Sequence, residues 1–184
     1  MGIPILAVQE TKRKTDNEAE EWYFPGELLE GWKFMGTGTS EKVGGVGFIL
    51  GPGVKNVEII EHAKSVWNRI FSIKCELHGL KLKITNCYAP HEGYAASTKQ
   101  KFYSQLKTCR KQVDKTKTGK NDKKILLGDF NAELGSMDAD EYNEVCGKNI
   151  RRGTYMSENG GMLCDFARQF EIQLLNTHFS SKIR

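Results

Sequence analysis

The chain has 184 residues, 39% of them hydrophobic and 27% charged, with a formal net charge of +4. That length and apolar share suit a single domain over 1–184 with a substantial core, and they exclude disordered and fibrous classes. Five cysteines without a CxxC pair exclude a disulfide framework or a zinc site, which implies an intracellular setting, nuclear or cytoplasmic. No run approaches the ~18 apolar residues of a membrane span, and MGIPILAVQETK lacks the regions of a signal peptide. No membrane association is expected.

Residues 3–9 form an apolar run without alternation, which predicts a strand buried on both faces and ending at Glu10. Residues 15–22 read as a short helix, with Asp16 as its cap, acidic side chains in its first turns, and Pro25 and Gly26 beyond its end. Two strands follow over 32–37 and 46–50, separated by the cluster Gly44, Gly45, Gly47. Segments 69–78 and 81–87 predict a hairpin about Gly79, because Ile70, Ser72, Lys74 and Glu76 alternate with Phe71, Ile73, Cys75 and Leu77.

A long helix should start after Ser97 or Thr98, since Phe102, Leu106, Cys109 and Val113 repeat at helical spacing. Residues 124–127 predict a short buried strand running into Gly128 and Asp129. A second helix over 159–170 turns Leu163, Phe166, Ala167 and Phe170 inward, and 173–179 reads as a last strand. Strands in hairpin-like pairs with helices interposed favour a layered α+β or α/β sandwich over a doubly wound parallel sheet.

Three segments place polar side chains directly after apolar strands: VQETK at 8–12, NCYAP at 86–90 and LLGDFNA at 126–132. A cleft at the strand ends would gather them. Glu10 is either a hard oxygen ligand for a hydrated Mg²⁺ or a solvated strand-end acid. In GDFN the glycine permits a tight turn, from which Asp129 and Asn131 reach one site. There an Asp orients or deprotonates a water, and an Asn amide donates to a phosphoryl oxygen. The alternative is a turn whose side chains bond their own backbone. The lysine-dense stretches 99–111 and 115–124 are a phosphate-binding patch or a solvated helix face followed by a loop.

Taken in order, QET, NCYAP, LLGDFNA and the NGxxLCDF stretch leading into LLNTHF resemble the endonuclease domain of non-LTR retrotransposons. The likeness is to RTE-type elements and their domesticated, craniofacial development protein 2-like derivatives, within the endonuclease/exonuclease/phosphatase superfamily. That domain is similar to apurinic/apyrimidinic endonucleases and pancreatic deoxyribonuclease, and the resemblance runs from about Ile5 to Phe179.

It implies a DNase I-like, four-layered sandwich of two mixed β-sheets flanked by helices. It also implies hydrolysis of DNA phosphodiesters by an activated water, with Mg²⁺ or Mn²⁺ as cofactor. By this resemblance Glu10 is the metal ligand and Tyr88 the phenol at the scissile phosphate. Asp129 is the acid that orients or activates the water, and Asn131 the amide that steadies the developing charge. Asn86, His91, Arg151 and Arg152 are further candidates for contact with nucleic acid.

Family members also carry a strand with an Asn before the QET strand, and a TW strand and a Ser-Asp-His segment after LLNTHF. The expectation is therefore an incomplete sandwich, open to association through unpaired sheet edges. Two other functions keep the same fold: a non-catalytic module that binds nucleic acid or protein, and hydrolysis of a phosphoinositide or sphingolipid headgroup.

Overall fold

The computed structural model describes residues 4–14, 19–39, 43–62, 68–116, 122–135, 142, 144–150 and 155–180. They pack as two compact units, Met1–Ala89 with Gln105–Asp129, and Pro90–Ser104 with Phe130–Arg184.

The first unit holds two four-stranded sheets. One contains β1 (Ile5–Gln9), β2 (Ala19–Tyr23), β3 (Lys33–Thr37) and β4 (Val46–Leu50), ordered β1-β4-β3-β2 and antiparallel throughout. The other contains β5 (Val54–His62), β6 (Ile70–Leu77), β7 (Leu80–Tyr88) and β8 (Lys123–Asp129) in that order, with β8 parallel to β7. The predicted alternation sets the packing: Phe71, Ile73 and Ile84 meet Met35, Phe48 and Leu50 across the gap between the sheets. On the reverse face the Ser72 and Thr85 hydroxyls bond at 2.8 Å. The β6–β7 turn carries φ 50° at His78 and 76° at Gly79, the all-positive geometry that matches strand twist in a two-residue hairpin. The result is an α+β sandwich, as the pattern of elements predicts.

Helix α1 (Ala96–Lys115) begins in the second unit and ends in the first. It buries Phe102, Leu106, Cys109 and Val113 along one stripe. Its last carbonyls lack partners within the helix. The buried Lys83 ammonium of β7 supplies them, donating to Val113 O at 2.8 Å and Thr116 O at 2.7 Å. In the second unit α2 (Glu158–Gln169) is capped by Ser157, whose Oγ accepts the Gly160 N–H at 3.0 Å, and it buries Leu163, Phe166 and Ala167. Among the described residues no helix is long and apolar enough to cross a membrane. All five cysteines are buried, and none is in a disulfide.

Four expectations need correction. Residues 19–23 are a strand, not part of a helix: their backbone pairs with β3 and the Trp22 ring stacks on Phe34 at 5.1 Å, while Asp16 lies outside the described residues. β1 and β8 are edge strands, each with one sheet neighbour among the described residues, not strands buried on both faces. Leu6 is 46% exposed, Ile125 38% and Leu127 37%. Residues 173–179 form a single bridge at Leu174 and a 3-10 turn at Leu175–Thr177 in place of a strand. Finally, Gly128 makes no turn; it lies within β8 opposite Cys87.

Candidate functional site

β1, β7 and β8 bring Glu10, Tyr88 and Asp129 to one end of the first unit. Tyr88 ends β7 and Asp129 ends β8, and the two are partners in the parallel register. Glu10 follows the last residue of β1, and its Oε1 accepts a hydrogen bond from the Tyr88 hydroxyl across 78 residues of sequence. Tyr88 is mostly buried whereas Asp129 is exposed. The backbone reinforces the grouping, since the Ala89 N–H donates to Asp129 O at 2.8 Å.

The electrostatics are one-sided. The Tyr88 hydroxyl, and after it Lys12, holds the Glu10 carboxyl below the usual carboxylate range. Burial, and then the bond to Glu10, pushes the Tyr88 phenol up. At neutral pH Glu10 is therefore ionised and Tyr88 is a protonated donor. Lys12 Nζ lies 3.2 Å from Glu10 Oε2 at an exposed position, where such a pair contributes little.

Sequence reasoning missed Arg69. Its buried guanidinium sits 4.5 Å from the centre of the Tyr88 ring, and Nη1 donates to Tyr88 O at 3.1 Å and Ala89 O at 3.3 Å. A buried cation must be matched by acceptors or π density, and here both come from the strand end that carries Tyr88. Nothing in RIFSIKCEL signals this, because the partners lie one strand away.

Glu10 adopts a left-handed φ of 51°. That bend carries the chain from β1 onto the glycine cluster before β4, where Thr11 N–H donates to Gly45 O at 3.2 Å and Lys12 N–H to Gly44 O at 3.3 Å. A Cβ on Gly45 would lie 2.2 Å from Thr11 Oγ1, so this approach requires glycine.

Asn86 is not a substrate-facing residue. It is 0% exposed and pins β7 to the other sheet: Nδ2 donates to Val8 O at 2.9 Å and Gly47 O at 2.8 Å, and Oδ1 accepts from Gln9 Nε2 at 2.7 Å. Asn86→Ala should cost about 2–4 kcal/mol, since three partners are left in a dry gap. Urea denaturation checks this, and a loss under about 0.5 kcal/mol would contradict it.

Asn131 and His91 belong to the second unit. Asn131 is half-buried with φ 46°. His91 is exposed; its Nδ1 accepts the Gly93 N–H at 3.0 Å and its ring lies 4.5 Å from that of Tyr94. Arg151 and Arg152 lie outside the described residues.

Among the described residues no three His, Cys, Asp or Glu side chains cluster as an ion cage. A carboxylate bonded to a phenol, with a second carboxylate on the neighbouring strand, suits Mg²⁺, which takes one or two carboxylates and keeps several waters.

No family model matches the chain, and no curated protein matches it. Among solved structures, that of truncated TDP2 from Caenorhabditis elegans is similar at 14% identity, over 84% of this chain and 67% of that one, with a TM-score of 0.40.

Proposed function

We propose that the chain is a divalent-metal-dependent endonuclease domain that hydrolyses DNA phosphodiesters, of the type its motifs resemble in non-LTR retrotransposons and their derivatives. The observation that carries this reading is the convergence of Glu10, Tyr88 and Asp129 at the ends of three strands. The ordered QET, NCYAP and GDFN motifs support it.

In this reading Glu10 and the metal's retained waters would hold Mg²⁺ or Mn²⁺. When bound, the metal supplies positive charge beside the phosphoryl oxygens. Tyr88, kept protonated beside Arg69, has a single O–H, which donates to Glu10 here and would turn to the phosphate once the carboxylate faces the metal. Asp129, exposed at the tip of β8, accepts a proton from the attacking water as its oxygen bonds to phosphorus and the bridging P–O bond breaks, the leaving oxygen taking its proton from solvent water. The motif resemblance assigns Asn131, two residues on in the chain, the role of donating its amide to the oxygen on which charge builds. The test is nicking of supercoiled plasmid DNA with Mg²⁺ present or removed by chelation. Metal-dependent conversion to the open circle is expected, and equal conversion in chelator would overturn the proposal.

The Glu10–Tyr88 bond has its own pH signature. Because the folded carboxyl is held down, Glu10 stays ionised as pH falls through the ordinary glutamate value of about 4.3, and it protonates only below that. The stabilisation from this bond is present above the unfolded value and is lost as pH falls through the folded one. A ¹³C titration of the Glu10 carboxyl should show a midpoint below the ordinary glutamate range, and Tyr88→Phe should raise it. An unchanged midpoint in the variant would show that the phenol is not the cause.

A further inference from the structure

The NG of NGxxLCDF opens α2, and neither residue is explained by helix formation alone. Asn159 is 0% exposed, and its Nδ2 donates to two backbone carbonyls, Asn131 O at 3.1 Å and Pro90 O at 2.6 Å. Because both partners are acceptors, the amide can sit only with its nitrogen toward them. Its Oδ1 is buried and accepts no hydrogen bond among the described residues. Burying an oxygen in this way is unfavourable, so helix stability does not account for the side chain. Gly160 serves the same segment: a Cβ there would lie 2.2 Å from Glu133 O, and only glycine lets the chain after Asn131 approach this closely.

The contact is braced on both sides. Ser157 N–H donates to Glu133 O at 3.1 Å, and Glu133 N–H donates to Ser157 Oγ at 3.0 Å. Asn159 is itself held, since its backbone N–H donates to Glu92 Oε1 at 2.9 Å. The other Glu92 oxygen pairs at 2.8 Å with the buried Lys99, which also pairs with Glu158 at 2.5 Å. The segment so fixed carries Asn131 at φ 46°, a conformation that a free chain populates sparsely.

We infer that Asn159 is a positioning residue: its side-chain amide, gripping the Asn131 carbonyl, holds Asn131 in the left-handed conformation that aims its own amide. This rests on the nuclease reading for the use to which Asn131 is put, but not for the grip itself.

The experiment uses the 184-residue chain, Asn159→Ala, Asn131→Ala and the double variant. In ¹⁵N spectra of Asn159→Ala the Asn131 backbone and side-chain amide signals should move or broaden while those of Leu163 and Phe166 stay in place. In Mg²⁺-dependent nicking, Asn159→Ala should lower kcat by about 10-fold to 10²-fold with KM within about threefold, the size of effect a misplaced group produces. In the Asn131→Ala background the same change should add less than about twofold, because residues acting as a unit are not additive.

Unmoved Asn131 signals, or a full multiplicative loss in the double variant, would overturn the inference. If the parent chain shows no metal-dependent nicking, the nuclease reading fails and the spectra alone decide on Asn159. Should Asn159→Ala not fold, Asn159→Ser, which keeps one donor, should give a smaller displacement of the same signals, and no displacement would overturn the inference.

Discussion

Replacing Asp129 by alanine is expected to lower Mg²⁺-dependent nicking by about 10²-fold to 10⁴-fold, the range for losing a positioned acid or base. The fold should survive. Asp129 is exposed at the tip of an edge strand, and the hydrogen bond from Ala89 N–H to Asp129 O is backbone and persists in the variant. A truncation with full loss of turnover and an unchanged circular dichroism spectrum separates a reacting group from a structural one. Retention of more than half the activity would remove Asp129 from the mechanism and leave Glu10 and Tyr88 as an ordinary hydrogen-bonded pair.

Gly128→Ala should do the opposite and strike the fold first. At φ 148° a Cβ would lie 2.1 Å from Cys87 O and 2.9 Å from Cys87 C and N. These are backbone atoms, and Cys87 is wholly buried in the middle of its sheet, so relief requires β8 to separate from β7. A cost of about 3 kcal/mol or more is expected, which for a chain of this size lowers the thermal midpoint by about 6–12 °C. Calorimetry checks it; a midpoint within about 2 °C of the parent would show that β8 gives way easily.

The elements legible in the sequence are those whose periodicity survives intact. The β6–β7 hairpin alternates without interruption from Ile70 to Leu77, and α1 repeats its apolar positions from Phe102 to Val113, over about three turns. β5 carries no readable alternation because bulges at Lys55/Glu58 and Ile59/Glu61 shift its phase. AEEW reads as the second half of a helix over 15–22 because acidic residues crowd that segment, and only the pairing with β3 makes it a strand. The apolar runs in β1 and β8 look like buried strands because composition records how apolar a segment is and not what lies beside it.

The site divides the same way. Glu10, Tyr88 and Asp129 could be picked out because each stands at the end of an apolar strand segment. Asn86 could not be separated from them, since it lies in the same motif and differs only in facing the other sheet. Arg69 bonds residues distant in the chain and no local pattern marks it, whereas Asn159 lies within NGxxLCDF but nothing in that motif says which carbonyls it meets.

Glu10, Asn68 and Asn131 all hold left-handed backbone angles without being glycine, at 51°, 45° and 46°. Each such residue carries about 1 kcal/mol or more of strain. At Glu10 and Asn68 a glycine would relax the backbone but would also delete a side chain that is hydrogen-bonded, to Tyr88 and to Gly38 O respectively, so the strain is held in place by the contacts it makes possible.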